Sequence, residues 1–327
     1  MSFAANFKKK KYFNNMLEEK TIIQEKFFNA TSLTYDPMDY LFTRFVAGEF
    51  ASVSNSWPGD YGDATLENLD KAQLLKFQNY FNKSGLKKGD IVLDVGSGFG
   101  PILHLFKQWG VRVVGLCPAQ KKYDYLKAAG FEVYRDIWQT YKTDLKFNAI
   151  LCVGSPEHYV TIDDFKAGKQ EAIYADFFDF VLDHLLPGGV VAGQFMTWNG
   201  KNPDPDLFDV DSKDPMYYHL ARLAYFYPEC WIPKDFKHFY SCAPEGAFEV
   251  LDVVDGREHY IWTMKAWGRS FRRTFPLVKW LYVAKLMLKT LYDKDFKYWA
   301  QAFWEKSNQK CFEEGWMGHE FFFLKKK

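Results

Sequence analysis

The sequence has few cysteines and none of the patterns that turn them into metal ligands or staples. The five are Cys117, Cys152, Cys230, Cys242 and Cys311, with no CxxC pair and no zinc spacing. An odd count suits a reducing compartment better than a disulfide framework. No run of about eighteen apolar residues occurs, which excludes a spanning helix. The N-terminus is polar from the start, without an apolar signal core, so a cytoplasmic location is expected. An excess of one charge is also missing. Lys plus Arg is 42 and Asp plus Glu is 41, which leaves a formal net charge of +1 and no electrostatic reason to bind nucleic acid. No nucleophile elbow and no internal repeat is found. His104, His184, His219 and His238 stand isolated without ligand spacing, so no metal is expected.

Aromatic residues are abundant: 32 Phe, 20 Tyr and 11 Trp make up 19% of the chain. Core packing accounts for many, and the excess points to an aromatic-lined pocket or an interfacial surface. Lysine is locally concentrated, with four in a row at 8–11 and three at 325–327. Such runs are solvated tails or attract anionic lipid, so peripheral contact at the inner membrane surface is an expectation. The 327 residues suffice for one large domain or two small ones.

Residues 1–85 read as a helical N-terminal cap segment, broken by loop chemistry at 54–64 (SNSWPGDYGDA). The rhythm then changes. Strand-like runs at 91–95, 111–117, 131–136, 147–153 and 190–196 alternate with helical ones at 101–109, 120–129 and 168–186. This alternation predicts a mostly parallel α/β sheet with helices on both faces. Residues 86–196 form its ligand-binding core. Residues 197–245, rich in Pro, Asp and aromatics, read as a lid inserted after the fifth strand. Residues 246–327 complete the sheet, to seven strands, through 248–254 and 319–325, with helical sequence over 261–314. The amphipathic stretch 280–289 is expected to face the core, with a membrane-surface helix as the alternative.

The strongest signal is Asp94-x-Gly96-x-Gly98-x-Gly100, which ends an apolar strand and opens a helix. Glycines allow a tight turn and close approach of a ligand, and helix N-terminal amides then face it. A dinucleotide fold places its third glycine one residue later. The pattern here is instead that of class I methyltransferases, whose cofactor is S-adenosylmethionine. An acid at the end of the second strand usually holds ribose hydroxyls. That position falls near Cys117, so Gln120 supplies the polar contact or the site is unusual. Asp136 and Trp138 follow the third strand, placed for an exocyclic amine and for stacking on a base. After the fourth strand comes GSPEHYV, which sets Glu157 and His158 where ligands lie in open α/β sheets.

From about residue 34 to 325 the chain resembles the cyclopropane fatty acid and mycolic acid synthases. The resemblance is carried by 69–100, by Pro156-Glu157-His158, by YADFFDFVLDHLLPGGVV at 174–191, by YFYPECWIP at 225–233, by REHYIWTMKAW at 257–267 and by the C-terminal CFEEGWMGHEFFFLKK. It implies a Rossmann-like class I methyltransferase that transfers a methyl or methylene group to an unsaturated acyl lipid. It also implies that Glu157 and Tyr260 belong to a bicarbonate site, with His158 beside them. The family's N-terminal His-Tyr-Asp appears as Thr34-Tyr35-Asp36, and its Tyr-Ser-Cys falls on Ser52-Val53-Ser54. Ser54 is counted among the cofactor contacts. The histidine after the fifth strand falls on Gln194. These departures keep open a small-molecule N- or C-methyltransferase that does without bicarbonate. A lipid-binding protein with a degenerate site is a third reading, against which the intact glycine turn speaks.

Overall fold

The computed structural model describes residues 55–228, 230–273 and 277–327. The expected helix before residue 55, the lysines at 8–11, Thr34-Tyr35-Asp36 and Ser52-Val53-Ser54, including the cofactor role expected of Ser54, lie outside the described residues.

Helix α1 (Leu66–Lys83) starts at Thr65, whose hydroxyl accepts a hydrogen bond from the Asn68 N–H at 3.3 Å. It buries Leu69, Ala72, Phe77 and Tyr80 along one face. The alternating unit follows: β1 (Ile91–Val95), α2 (Pro101–Gln108), β2 (Arg112–Leu116), α3 (Gln120–Ala128), β3 (Glu132–Tyr134) and β4 (Phe147–Val153). Next come the short α4 (Ile162–Lys166), α5 (Gln170–His184) and the long β5 (Leu185–Thr197). The 197–245 segment contributes α6 (Pro215–Phe226) and α7 (Phe236–Tyr240). Then come β6 (Phe248–Asp255), α8 (Arg257–Arg273), α9 (Leu277–Lys289), α10 (Lys294–Trp304), α11 (Ser307–Glu313) and β7 (Gly318–Lys326).

The seven strands form one sheet in the order β3-β2-β1-β4-β5-β7-β6. Pairings from β3 through β5 are parallel, and β7 runs antiparallel to both β5 and β6. The central strands read as unbroken apolar runs because both faces are covered. Alternate residues feed opposite layers: Val92, Ala149 and Leu151 pack with Phe77, Tyr80 and Phe106, while Leu93 and Ile150 pack with Phe177 and Phe178. Burial of each such Phe contributes about 1.5–3 kcal/mol.

One boundary and one helix face differ from the sequence reading. Helix α5 stops at His184 and β5 begins at once, so Pro187-Gly188-Gly189 lie inside the strand and not between elements. A Cβ at Gly189 would sit 2.8 Å from the Asn148 carbonyl oxygen, at the place where the β4–β5 register shifts. Helix α9 meets that expectation on one side only: Val283, Tyr282 and Leu286 pack on the core, while a second apolar side turns outward. Trp280, Leu281 and Leu288 are 50%, 61% and 62% exposed. Its inner side holds Val283 and Lys279, whose Nζ donates to the Phe271 carbonyl at 2.6 Å.

The 197–245 segment is tied to the sheet's carboxyl edge. The Trp231 N–H donates to the Val160 carbonyl at 2.8 Å and the Trp198 N–H to the Pro233 carbonyl at 3.0 Å. Phe165 stacks on Trp231 with ring centroids 4.2 Å apart. Among the described residues, no helix is long and apolar enough to cross a membrane.

Candidate active site

The carboxyl ends of β1, β2, β4 and β5 open onto a cavity of about 640 Å³. Its floor is the glycine turn. Gly96, Gly98 and Gly100 have φ of 88°, 55° and 78°, and each does a different job. A Cβ at Gly96 would lie 2.7 Å from the Ser155 Cβ, so this glycine lets the β1 turn pass the β4 turn. Its constraint is therefore protein packing, not the ligand clash expected from sequence. A Cβ at Gly100 would lie 2.4 Å from Leu126, so it fits helix to helix. Only Gly98 has no protein atom within 4 Å of an added Cβ, and it lines the cavity. It is the one of the three left for close approach by a ligand.

Asp94 is buried at the end of β1 with its Oδ2 unpartnered. Burial raises its pKa to about 7, with Ser97 pulling the other way. An orphaned carboxylate oxygen in a cavity wall is suited to a cationic or hydroxyl-bearing ligand.

Cys117 is buried at the end of β2 and reaches the cavity. Gln120 does not. Its amide turns along α3 and donates to Asp124 Oδ1 at 2.7 Å, so the expected polar contact from Gln120 is corrected; Lys122 lines the cavity from this helix instead. Asp136 lines the cavity while its Oδ1 accepts from the Ile137 N–H at 2.8 Å and from the Thr140 hydroxyl. Trp138 lines it too and belongs equally to the core, its ring edge-on to Tyr159 and Phe177 at 5.4 Å each.

GSPEHYV forms a short 3-10 turn, Pro156–His158, directly after β4. Glu157 is 5% exposed. Its Oε1 accepts from the Met196 N–H at 3.0 Å, which ties the ends of β4 and β5 together. Its Oε2 is buried without a partner. Burial raises its pKa to about 7 against the pull of backbone N–H groups. Tyr260, from the first turns of α8, lines the same cavity. Its hydroxyl accepts from Asn308 Nδ2 at 3.4 Å, and burial, joined by the charge of Glu157, pushes its pKa to about 12. His158 turns toward Cys230, with Nδ1 and Sγ 2.9 Å apart. Burial and then Lys122 bring its pKa down to about 4.

The structure adds three residues that the sequence reading missed. His319 on β7 lines the cavity, with its ring centroid 5.3 Å from that of Tyr260. Asn55 Nδ2 donates to the Gly256 carbonyl at 2.9 Å and faces His319 Nδ1 at 3.2 Å. The carbonyl fixes the amide orientation, so Nδ1 accepts and His319 is neutral with its proton on Nε2. Burial and then Lys76 bring its pKa to about 3. Lys76 is itself fully buried and donates to the Asn55 carbonyl at 2.9 Å. The signal for His319 was weak. It sits inside an aromatic strand, and only the β5–β7 register, Met196 opposite His319, brings it to the site. Gln194 lies deeper, its Oε1 accepting from the Tyr80 hydroxyl at 3.2 Å.

Beyond Glu157 the wall is largely aromatic and aliphatic, with Leu223 and Phe226 from α6, Tyr227 just after it, and Phe271, Trp280 and Phe303 from the C-terminal helices, among which stand Lys265, Arg269, Arg272 and Lys306. Among the described residues, no cluster of three His, Cys, Asp or Glu could hold a metal ion.

The family model for mycolic acid cyclopropane synthetase matches residues 24–312. The chain belongs to this family. Its sheet, with β7 reversed, is the class I methyltransferase fold. The chain is 26% identical over 208 residues to a "Probable fatty acid methyltransferase" of Mycobacterium tuberculosis, a match covering 61% of this chain and 43% of that protein. It thus spans less than half of that relative's length. It is 26% identical over 255 residues to the S-adenosylmethionine-dependent methyltransferase UmaA of the same organism, over 75% of this chain and 82% of that one. The solved structure of mycolic acid cyclopropane synthase CmaA1, complexed with SAH and CTAB, superposes with a TM-score of 0.67. It is 20% identical to this chain, with 91% of this chain and 98% of that one covered.

Proposed function

We propose that this protein transfers a methyl or methylene group from S-adenosylmethionine to an apolar acceptor, most simply the double bond of an unsaturated acyl lipid. The observation that carries this reading is the continuity of the cavity. One end is the glycine turn with the orphaned Asp94 carboxylate, and the other is an aromatic and aliphatic wall. The matched family, and the solved complex of CmaA1 with SAH and CTAB, support a cofactor and an apolar ligand as the pair to be held.

The residues at the first end fit the cofactor. Asp94, Gly98, Cys117, Asp136 and Trp138 would hold it, with Gly98 giving it room and Trp138 offering a ring face. When bound, S-adenosylmethionine supplies an electrophilic methyl on a sulfonium. The chain's residues then do three things. The lid residues Leu223, Phe226 and Tyr227 exclude water and hold the acceptor in line. Aromatic faces, Tyr260 and Trp267 among them, stabilise positive charge on carbon. Glu157 takes up the proton that the methylated cation loses, from the transferred methyl if the ring closes. Its Oε2 faces no competing donor, and a pKa near 7 suits a base working at neutral pH.

Bicarbonate fits the same place in a different protonation state. A neutral Glu157 would donate to the anion together with the Tyr260 hydroxyl. A small-molecule N- or C-methyl acceptor is the second reading, favoured by Gln194, which stands where an anion site would use an imidazole and bonds to Tyr80 instead. Incubating the protein with methyl-labelled S-adenosylmethionine and unsaturated phospholipid tests the proposal. Mass spectrometry should find acyl chains heavier by one CH₂. Label that appears only on added amines or soluble alkenes would favour the second reading.

A further inference from the structure

The outward face of α9 is unusual for a surface helix. Leu277, Trp280, Leu281 and Leu288 recur at helical spacing and are 69%, 50%, 61% and 62% exposed, and Leu291 in the turn after the helix is 80% exposed. From Leu277 to Leu288 the stripe runs about 16 Å at the helical rise of 1.5 Å per residue. Scattered exposed apolar residues are ordinary, whereas a contiguous row marks a contact surface.

Charge around the stripe is mainly positive, although Lys265 meets Glu313 at 3.7 Å, Arg269 meets Asp63 at 4.0 Å and Lys289 meets Asp293 at 3.4 Å. From residue 259 to 292 the sequence holds seven Lys and Arg residues and no Asp or Glu. Lys265, Arg269 and Arg272 line the cavity on its α8 side, and Lys306 lines it from the start of α11. Trp280 does both: it belongs to the stripe and also lines the cavity. The apolar stripe is therefore continuous with the cavity, and cations frame the junction.

We propose that this face, α9 with the basic end of α8, docks on an anionic phospholipid bilayer and brings the cavity mouth to the acyl chains. An apolar stripe with flanking Lys and Arg is the make-up of a helix that lies in the interface. Each cation near such a surface adds to the attraction. A second copy of this chain would set the same basic rim against itself, which Coulomb repulsion opposes. The proposal deepens the acyl-lipid reading and rests on it for its purpose, but its test does not depend on turnover.

The test is co-sedimentation of the full chain with phosphatidylglycerol vesicles and, in parallel, phosphatidylcholine vesicles, without S-adenosylmethionine. Three proteins are compared: wild type, Leu281→Glu/Leu288→Glu, and a chain with the lysines at 8–11 changed to Ser. Wild type should bind the anionic vesicles and release with salt. The Glu pair should weaken binding about tenfold or more while thermal stability holds. Leu281→Ser/Leu288→Ser serves if the Glu pair misfolds. The lysine variant should still bind. Equal binding by wild type and the Glu pair overturns the proposal, as does loss of binding only in the lysine variant. So does a concentration-dependent dimer that the Glu pair dissolves, with no vesicle binding at all. Turnover with no vesicle binding would sink this docking surface and leave the proposed chemistry, while vesicle binding without turnover would do the reverse.

Discussion

The Met196 backbone N–H donates to Glu157 Oε1 at 3.0 Å and leaves Oε2 buried and unpaired in the cavity wall. One oxygen holds β5, and the other has no hydrogen-bond partner in the protein. Glu157→Gln can keep the first through its own carbonyl and lose the second as a base. Turnover should fall about a hundredfold or more, with S-adenosylmethionine affinity little changed. Activity that survives in a titration-competent variant would assign Glu157 to structure alone. Stimulation of the wild type by bicarbonate, lost in Glu157→Gln, would select the anion-holding role.

The buried ionisable groups predict a pH dependence with opposing parts. Glu157 and Asp94 have folded pKa values near 7, above their usual range, so each destabilises the fold as pH rises to 7, Glu157 from about 4.5 and Asp94 from about 3.8. His319 and His158 are lowered to about 3 and 4, so each destabilises as pH falls below about 6.5. Between about pH 4.5 and 6.5 the four slopes cancel, at roughly 1.4 kcal/mol per pH unit each. Glu157→Gln should therefore gain stability relative to wild type at pH 8, by about 3 kcal/mol at most, and gain nothing at pH 4. His319→Gln should do the opposite and gain only in acid. Melting temperatures of the three proteins across pH check this; parallel curves would mean these groups titrate normally.

The glycines can be separated. Gly98→Ala meets no protein atom but enters the space assigned to the cofactor. Its positive φ costs the fold about 1–2 kcal/mol, yet calorimetry should find S-adenosylmethionine binding weakened about tenfold or more. Gly96→Ala should unfold more readily, because its Cβ would overlap that of Ser155. Unchanged affinity in a folded Gly98→Ala would move the cofactor elsewhere.

Tyr260→Phe isolates a single hydroxyl. The ring keeps its edge-on contact with Phe312 at 4.7 Å, and Asn308 keeps the Tyr227 hydroxyl at 3.4 Å. Stability should change by no more than about 1 kcal/mol. If the hydroxyl faces the reacting carbon or an anion beside it, kcat should fall about tenfold or more with the cofactor Kd constant. A kcat equal to wild type would make Tyr260 a wall residue.

What the sequence determined by itself was local. Runs such as IVLDV and FNAILCV must be covered on both faces, so the alternating α/β order and its parallel sheet could be read directly. The glycine turn could be placed because strand, turn and helix are contiguous, and the family because its motifs keep their order. Side-chain direction was not legible. Gln120 opens α3 and bonds to Asp124 one turn on, so its position near the site did not make it a contact. The outward face of α9 was equally hidden, since a 3.6-residue period gives a stripe but not the side on which a neighbour stands. The meeting of Asn55, Lys76 and His319 was decided by tertiary structure alone. His319 lies 264 residues from Asn55, and only the antiparallel insertion of β7 beside β5 sets it against Tyr260. Once there, burial keeps it neutral, because no solvent remains to stabilise its charge.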